Sequence, residues 1–444
     1  MKGREELNIA IVSDLHLSQG RSPLTKRFDR NEDFFFDGKF DRFLLYLEKE
    51  ASRRSRNWRL IIAGDMVDFL QVTRRPRDSQ FELRTSEKRY GLGTSPHKTV
   101  WKLKAIMNGH RIFFRALGRF VGSGNKCTII TGNHDIEWTM AEVQKAFVEE
   151  MARKYIPGGG GAAKEVVSGQ IEFCPWFFYE PGLAWVEHGN QYDGLNSFDY
   201  LLFPYLPSSD ELMLPGGSFF VRYLFNKVEQ KDPFADNIKP VSAYLAKYGL
   251  NLVFSKRVMR HVKYFLKVLW KARKFKSEEL EELRKKNEEG IEAEAVRFGI
   301  TIEKLKEIEN NWVRCFLYNR GKLRNLWSFI AYKGEESHSK IVETIRKQLD
   351  VRYVVFGHTH KADLLPLSSD GKGEYINAGT WTKIFSRNPG ESLLREEQES
   401  VFVQILRDEG DRLELMRWRD DLGQGERVNL FEEMRPNKGK RVKE

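Results

Sequence analysis

Five short polar motifs occur along the 444-residue chain and contain five of its nine histidines. In order they are Asp14-Leu15-His16, Gly64-Asp65-Met66-Val67-Asp68, Gly132-Asn133-His134-Asp135, His188-Gly189 and Gly357-His358-Thr359-His360. Imidazole, carboxylate and amide groups together suit borderline divalent metals such as Mn, Fe or Zn. Sites for Mg or Ca use oxygen ligands alone, and structural zinc sites usually include thiolates. The motifs therefore predict a site for divalent transition metals.

Each motif directly follows a short apolar run, at residues 8–12, 60–63, 127–130, 183–186 and 353–356. Such runs, rich in β-branched residues and ended by glycine or a polar residue, are typical of buried strands. Open sheets bind ligands beyond the carboxyl ends of their strands, so we expect five strands to direct these side chains to one sheet edge. Alternate residues of an extended segment face one side, which would let both ligands of the first and of the last motif converge. Glycines before the ligands would permit tight turns and close backbone approach.

Taken together, the motifs resemble the pattern of the calcineurin-like metallophosphoesterases, which is D-x-H, G-D-x-x-D, G-N-H-D/E, a lone H and G-H-x-H. All five blocks are present in order, and the resemblance covers roughly the first 195 residues and the last hundred. It implies an α/β fold, namely a four-layer α/β/β/α sandwich of two mixed sheets with helices outside. It also implies two divalent metal ions as cofactors, of which Mn is the first choice and Fe or Zn the others.

Under this resemblance, seven side chains would bind the two ions. Asp14, His16, Asp65 and His360 would bind the first ion, and Asp65, Asn133, His188 and His358 the second, with Asp65 shared between them. Sites of this kind hold the ions about 3.5–4 Å apart and promote in-line displacement at phosphorus. The resemblance thus implies attack by a metal-bound hydroxide.

Three further residues of the motifs have implied roles. His134 would be a catalytic residue, either the proton donor to the leaving oxygen or an electrostatic stabiliser of the transition state. Asp68 would be the carboxylate that orients the imidazole of His134. Asp135 is predicted to be structural, as a cap of a helix that begins at Ile136. The histidines outside the motifs lack metal spacing and are predicted to be surface or packing residues: His97, His110, His261 and His338.

Composition narrows the class of protein. The chain is 41% hydrophobic with a formal net charge of +11, which predicts a globular protein attracted to polyanions. Its three cysteines, Cys127, Cys174 and Cys315, are isolated, which argues against a disulfide framework and for a reducing compartment. It has no signal-peptide pattern and no run of roughly 20 apolar residues, so we expect a cytoplasmic protein without a transmembrane segment.

The interval between His188 and His358 is the longest between motifs and predicts an insertion. We expect four segments: 1–196 and 340–436, which together form the catalytic core, a mainly helical cap insertion at 197–339, and a basic tail at 437–444. Four glycines at 158–161 predict a loop, because no Lys-Ser or Lys-Thr follows them as in phosphate-binding loops. Strands at 375–378, 401–406 and 413–418 are expected to complete the second sheet.

Inside the insertion, residues 255–276 predict an amphipathic helix with nine Lys or Arg and no acidic residue. One interpretation is a helical subdomain in which this helix pairs with the glutamate-rich segment 278–294. The other is that the helix lies on an anionic membrane, at its inner face, or grips a phosphorylated substrate.

The predicted reaction is metal-dependent hydrolysis of a phosphodiester or pyrophosphate, with a nucleotide-linked or lipid-linked metabolite as substrate. The layout is most similar to the UDP-diacylglucosamine pyrophosphohydrolases, but many of those carry Arg where this chain has His134. Phosphoprotein phosphatases have Arg where this chain has Phe69, and double-strand-break repair nucleases usually have His where it has Asp68.

Two alternative functions remain open. One is a nuclease acting on DNA or RNA, favoured by the positive charge, and the other is a membrane- or partner-binding scaffold with a vestigial site.

Overall fold

The computed structural model of the chain describes residues 6–22, 24–76, 81–156, 159–226, 275–313, 338–366, 373–386, 395–397 and 400–428. Fourteen strands occur in this part of the chain: β1 Asn8–Val12, β2 Trp58–Ala63, β3 Lys126–Ile130, β4 Ile171–Cys174, β5 Phe177–Glu180, β6 Ala184–Glu187, β7 Tyr353–Phe356, β8 Ala362–Pro366, β9 Glu374–Ala378, β10 Ile384–Ser386, β11 Arg395–Glu397, β12 Val401–Leu406, β13 Arg412–Arg419 and β14 Gln424–Arg427. All five runs predicted before the motifs are strands.

The same ranges contain ten α-helices: α1 Asp37–Arg54, α2 Thr85–Tyr90, α3 Pro96–Gly109, α4 Arg111–Gly122, α5 Ala141–Lys154, α6 Gly160–Gln170, α7 Gly216–Phe220, α8 Ser277–Phe298, α9 Ile302–Glu309 and α10 Ser339–Leu349. Short 3-10 turns lie at Ile136–Thr139, Asn190–Tyr192 and Arg407–Glu409, and a π-helical turn follows α7 at Val221–Phe225. Among these described helices, none combines the length and the apolar composition that crossing a membrane requires.

The first sheet has seven strands in the order β14-β13-β12-β1-β2-β3-β4. Strands β1 to β4 are parallel, and β12 to β14 extend the sheet in antiparallel fashion beyond β1. The register pairs Val12 with Ile62 and Ala63 with Ile130, so β1, β2 and β3 end side by side. The first three motifs therefore leave this sheet at one edge.

The second sheet has five strands in the order β5-β6-β7-β9-β8, with β6, β7 and β9 parallel. Val186 pairs with Val355, so the fourth and fifth motifs also leave at a common edge. The expectation of a single sheet edge is therefore wrong, because three motifs follow strands of the first sheet and two follow strands of the second. A separate two-stranded ribbon is formed by β10 and β11.

The two sheets are in contact where β12 meets β9 and where β3 meets β5. Helices α1 and α4 pack on β2 and β3, and α10 packs on β7. Every residue of β1 and β7 is buried, as expected for strands covered on both faces, which read as continuous apolar runs. The predicted α/β class with two mixed sheets is confirmed.

The prediction that residues 401–406 and 413–418 complete the second sheet is wrong. β12 lies beside β1 in the first sheet, with Ile405 opposite Ile9, and β13 pairs with β12. Of the three predicted strands, only the one within β9 belongs to the second sheet. A buried apolar strand has the same residue pattern in either sheet, so the pattern does not predict which strand it pairs with.

The predicted glycine loop is also wrong in part, because α6 begins at Gly160. Ala163 and Val167 of this helix are buried, and the helix packs on α5. Tertiary packing of the apolar face of this helix outweighs the unfavourable free energy of a glycine in a helix, which is about 1 kcal/mol relative to alanine.

The described parts of the predicted insertion pack against the core. The ring of Phe298, in α8, lies 4.9 Å from that of Phe177 in β5, measured between centroids. Helix α9 contacts α10. Residues 255–274 of the predicted basic helix and the tail at 437–444 lie outside the described residues. The predicted regional boundaries and the membrane contact therefore stay predictions.

Candidate metal centre

Side chains from all five motifs lie together where the edges of the two sheets meet. Within the described ranges, three groups of His and Asp bring their ligand atoms within 4.8 Å of one another. The groups are Asp14, His16 and His360, then His16, Asp65 and His134, then Asp14, Asp65 and His188. Residues from both sheets thus contribute to one cluster.

The first group contains three of the four ligands expected for the first ion. The Nε2 atoms of His16 and His360 lie 3.1 Å apart, and His360 Nε2 lies 3.1 Å from Asp14 Oδ1. His16 Nε2 lies 3.7 Å from both Asp14 Oδ1 and Asp65 Oδ2. Two imidazoles and one carboxylate thus lie within ligand distance of one another, and Asp65 lies beside His16.

Asp65 lies between this group and His188. Its Oδ2 atom is 3.1 Å from His188 Nε2, and Asn133 Oδ1 is 3.2 Å from the same nitrogen. Asp65 belongs to two of the three groups. A carboxylate in this position could serve as a ligand shared by two closely spaced ions.

The donor spacing fits divalent metal ions. Two ligands that bind one ion at about 2.1 Å lie roughly 3.0–3.4 Å apart at octahedral or tetrahedral angles. The His16–His360, His360–Asp14 and His188–Asp65 separations are each 3.1 Å. Asp14 Oδ1 is buried and faces the Nε2 atoms of His360 and His16, at 3.1 and 3.7 Å. Burying a carboxylate oxygen is costly unless a cation lies beside it, so the cluster fits a metal centre.

Five of the seven expected ligands have left-handed backbone conformations. The φ angle is 54° at Asp14, 50° at His16, 51° at Asp65, 70° at His358 and 61° at His360. Only a few per cent of non-glycine residues adopt such angles, and each costs on the order of 1–3 kcal/mol. The expectation of extended segments in the first and last motifs is therefore wrong. Left-handed turns, not strand pleating, direct these side chains.

Hydrogen bonds between the loops stabilise these turns. The backbone N–H groups of Leu15 and His16 both donate to the carbonyl oxygen of Asp65, at 3.0 and 2.9 Å. The hydroxyl group of Thr380, just after β9, donates to the carbonyl oxygen of Asp14 at 2.7 Å. The loops after β1, β2 and β9 therefore constrain one another.

Two glycines have the predicted role. Gly64 has a φ of 84°, and a Cβ atom there would overlap the ring of His188. A Cβ atom on Gly132 would collide with the carboxylate of Asp65. Close packing of ligand side chains on bare backbone therefore requires glycine at both positions.

Electrostatic coupling within the cluster is strong. Burial alone would raise the pKa of Asp14, but the nearby imidazoles of His360 and His16 hold that pKa well below its usual range. Burial alone would lower the pKa of His188, but the carboxylates of Asp65 and Asp14 raise it to about 9. A divalent cation would replace these protons as the partner of the carboxylates.

Hydrogen bonds to the rest of the fold orient the ligands. His188 Nδ1 donates to the carbonyl oxygen of Ala63 at 2.9 Å, which leaves Nε2 facing Asp65. Asp14 Oδ2 accepts from the Ser13 hydroxyl group and, at 2.9 Å, from the backbone N–H of His358. Partners of this kind commonly determine which atom of a ligand faces a metal.

His134 and Asp68 are in contact, as the expected pairing requires. His134 Nδ1 lies 2.5 Å from Asp68 Oδ2. The other oxygen of Asp68 accepts from the backbone N–H groups of Leu70 and Gln71, at 2.7 and 2.8 Å. The carboxylate is therefore fixed by its own turn and constrains the imidazole ring.

Asp135 does not cap a helix with its side chain. A 3-10 turn follows at Ile136–Thr139, but the carboxylate makes no capping hydrogen bond. It accepts instead from the backbone N–H groups of Gly132 and Met66, at 2.7 and 2.8 Å, and from Trp138 Nε1 at 3.1 Å. Asp135 is structural, as predicted, but it joins the loops after β2 and β3 because both run past it.

His358 differs from the other expected ligands, because it belongs to none of the three groups found among the described residues. Its Nε2 atom lies 3.1 Å from Asp193 Oδ2. Asp193 was missed by the sequence analysis, although a carboxylate five residues after His188 is a signal in the same loop. Burial alone would raise the pKa of Asp193, but its contact with His358 lowers it.

The histidines outside the motifs follow the prediction where they are described. His97 is exposed, and His110 is fully buried. His338 is partly buried, with Nδ1 2.8 Å from the Tyr375 hydroxyl oxygen. His261 lies outside the described residues.

Comparison with known proteins adds no further information about this site: no protein-family model matches the chain, and no curated protein matches it.

Proposed function

We propose that the protein is a two-metal hydrolase of phosphodiesters or pyrophosphates. The observation that carries the proposal is the position of Asp65 between two sets of donors. Its Oδ2 atom lies 3.7 Å from Nε2 of His16, which is grouped with Asp14 and His360, and 3.1 Å from Nε2 of His188, which contacts Asn133. When bound, two divalent ions would polarise the phosphoryl group and make water acidic enough to attack near neutral pH.

In this proposal, His134 donates the proton to the leaving oxygen. Asp68 occupies Nδ1 of the ring, so Nε2 is the atom that can reach a substrate. Burial alone would lower the pKa of His134, but the charges of Asp68 and Asp65 outweigh it and raise the pKa. This favours the protonated imidazole near neutral pH. The side chain of His134 is 17% exposed while that of Asp68 is fully buried, which suits a donor at the open side of the site.

The environment of Phe69 argues against a phosphoprotein substrate. This position carries the phosphate-binding Arg in the phosphoprotein phosphatases that the motifs resemble. Here the Phe69 side chain is fully buried, with its ring centroid 5.8 Å from that of Trp138. The position supplies no cation to a phosphoryl group, so we propose smaller phosphodiesters or pyrophosphates as the substrate class.

The test combines metal content with turnover. The apo-protein would be loaded with Mn, dialysed, and measured for bound metal and for hydrolysis of bis(p-nitrophenyl) phosphate, p-nitrophenyl phosphate, a nucleoside diphosphate ester and DNA and RNA oligonucleotides. We expect two Mn per chain and turnover of the diester or the pyrophosphate. Asp65→Asn should reduce turnover by at least about 10³-fold, because several kcal/mol of transition-state stabilisation depend on the ions.

The matched control is Asp210→Asn, an exposed carboxylate that belongs to none of the three groups. It should retain both ions and full turnover. Fewer than two Mn per saturated wild-type chain, or no turnover above Asp65→Asn on any substrate, overturns the proposal. Turnover of oligonucleotides alone would replace it with the nuclease function.

A further inference from the structure

His358 and His188 use their ring nitrogens differently. His188 donates from Nδ1 to the carbonyl oxygen of Ala63, at 2.9 Å, and directs Nε2 toward Asp65. His358 Nε2 lies 3.1 Å from Asp193 Oδ2. The two ring centroids are only 5.2 Å apart, at an interplanar angle of 70°. The neighbouring rings are therefore held by opposite nitrogens.

Asp193 is itself held rigidly. Its Oδ1 atom accepts from the backbone N–H of Leu195 at 2.9 Å, and Asn196 Nδ2 donates to its Oδ2 atom at 2.7 Å. The side chains of Asp193 and His358 are each only 13% exposed. The carboxylate cannot turn away without losing these hydrogen bonds. The loop after β6 therefore holds it in contact with His358.

The preceding turn adds to this rigidity. Glu187, at the end of β6, accepts from Trp176 Nε1 at 2.9 Å and from the Tyr192 hydroxyl group at 2.8 Å. Tyr192 closes the 3-10 turn Asn190–Tyr192 and stacks on Phe356 of β7, with ring centroids 5.7 Å apart. The turn that carries Asp193 is thus tied to the strand that precedes His358.

We propose that Asp193 is a positioning residue that keeps the proton of His358 on Nε2 and so presents Nδ1 as the metal-binding atom. Histidine ligands commonly donate their second ring N–H to a carboxylate, which sets the tautomer and the ring orientation. The inference rests on the proposed two-metal function. It explains why His358 faces a carboxylate outside the cluster, and it assigns a role to a residue that none of the five motifs contains.

The direct test is nitrogen NMR on ¹⁵N-histidine-labelled protein loaded with Zn, which is diamagnetic. The spectrum of His358→Gln identifies the His358 signals by their loss. We expect a protonated Nε2 and a metal-bound Nδ1 for His358, and the opposite pattern for His188. A metal-bound Nε2 at His358 would overturn the inference, and this readout needs no Asp193 variant to fold.

The second test is metal affinity, measured by equilibrium dialysis with Mn. Asp193→Ala should weaken the second ion about 10- to 100-fold and leave the first unchanged, as is typical when the partner of a ligand is lost. Asp193→Asn retains an amide oxygen that can accept from Nε2–H, so its affinity should lie between those of Asp193→Ala and wild type. Asp210→Ala serves as the control with unchanged affinity.

The outcomes separate the two proposals. If wild-type protein binds two Mn and both Asp193 variants bind them with unchanged affinity, the positioning role is wrong and the two-metal function stands. If wild-type protein binds fewer than two, the proposed function itself is wrong. Melting temperatures of the metal-free variants equal to that of wild type would show that an affinity loss does not come from misfolding.

Discussion

In the described part of the chain, two buried clusters combine histidine with carboxylates, and one of them has ligand spacing that fits a metal centre. The second, here called the His110 cluster, consists of His110, Glu32 and Asp37. Its histidine is fully buried, with Nε2 3.2 Å from Glu32 and Nδ1 3.1 Å from Asp37. Both ring nitrogens therefore face carboxylates on opposite sides, and neither is left for an ion.

The carboxylates of the two clusters also differ in the partners of their oxygen atoms. Glu32 accepts from the backbone N–H groups of Ser18, Gly20 and Phe34 in addition to its contact with His110. Asp14, in the candidate metal centre, directs Oδ1 toward the Nε2 atoms of His360 and His16, at 3.1 and 3.7 Å. Similar residue types thus form a single histidine enclosed by two carboxylates in one place and a group of several histidines and carboxylates in the other. What separates the two clusters is the arrangement of the side chains, not their composition.

The largest expected contrast between the clusters is in metal content. Asp65→Asn should abolish binding of both Mn ions, because this carboxylate lies between the two donor sets. Asp37→Asn should retain both ions but lower the free energy of unfolding by about 3–5 kcal/mol, since it breaks a buried ion pair. Metal analysis and urea unfolding of both variants measure this. Loss of Mn from Asp37→Asn would contradict the expectation that the His110 cluster takes no part in metal binding.

Catalysis should depend on one histidine and not on the other. His134→Gln should lower kcat by about 10²- to 10⁴-fold while both ions remain bound, because it removes the proposed proton donor. His110→Gln should leave kcat near that of wild type at neutral pH. Steady-state kinetics at saturating Mn would decide this, and equal losses in the two variants would contradict the division of roles.

The pH dependence of stability should reveal the His110 cluster. Burial alone would lower the pKa of His110, but Glu32 and Asp37 raise it to about 10, compared with 6.5 for an ordinary histidine. Because the folded-state pKa is raised, this stabilisation is complete below pH 6.5 and is lost as the pH rises through about 10.

The measurement is urea unfolding across this pH range. The excess stability of wild type over His110→Gln should shrink by roughly 3–5 kcal/mol from pH 6.5 to 10. Using the difference between the two proteins removes the contribution of every other titrating group that they share. A constant difference across the range would show that His110 is neutral in the folded protein.

The smallest expected effect is stabilisation by the metal. Saturation with Mn at about 100 times its dissociation constant should raise the free energy of unfolding by about 2.7 kcal/mol for each site. The same increment should appear in His110→Gln and be absent in Asp65→Asn. Thermal unfolding with added Mn, reversed by a chelator, measures it, and a shift in Asp65→Asn would point to binding elsewhere.

Most of the fold class and much of the cluster could be predicted from sequence. Asp14, His16, Asp65, Asn133, His188 and His360 follow strands that were each readable as a short apolar run, and the structure brings these side chains together. The sheet to which β12 belongs was not predictable, because an apolar strand fits either sheet until its neighbour is known. Asp193 was missed because it lies in an irregular loop with no local signal beyond its charge.

The sequence by itself determined the donor types, their order along the chain, and the strands that end just before them. Only the tertiary structure decided where each lone pair is directed. Whether a carboxylate directs an oxygen toward several imidazoles, as Asp14 does with Oδ1, or accepts mainly from backbone N–H groups, as Glu32 does, depends on left-handed turns and on partners far away in sequence. His358, whose N–H donates to Asp14, is 344 residues from it. Hydrogen-bond direction arises from that packing, and residue spacing alone does not contain it.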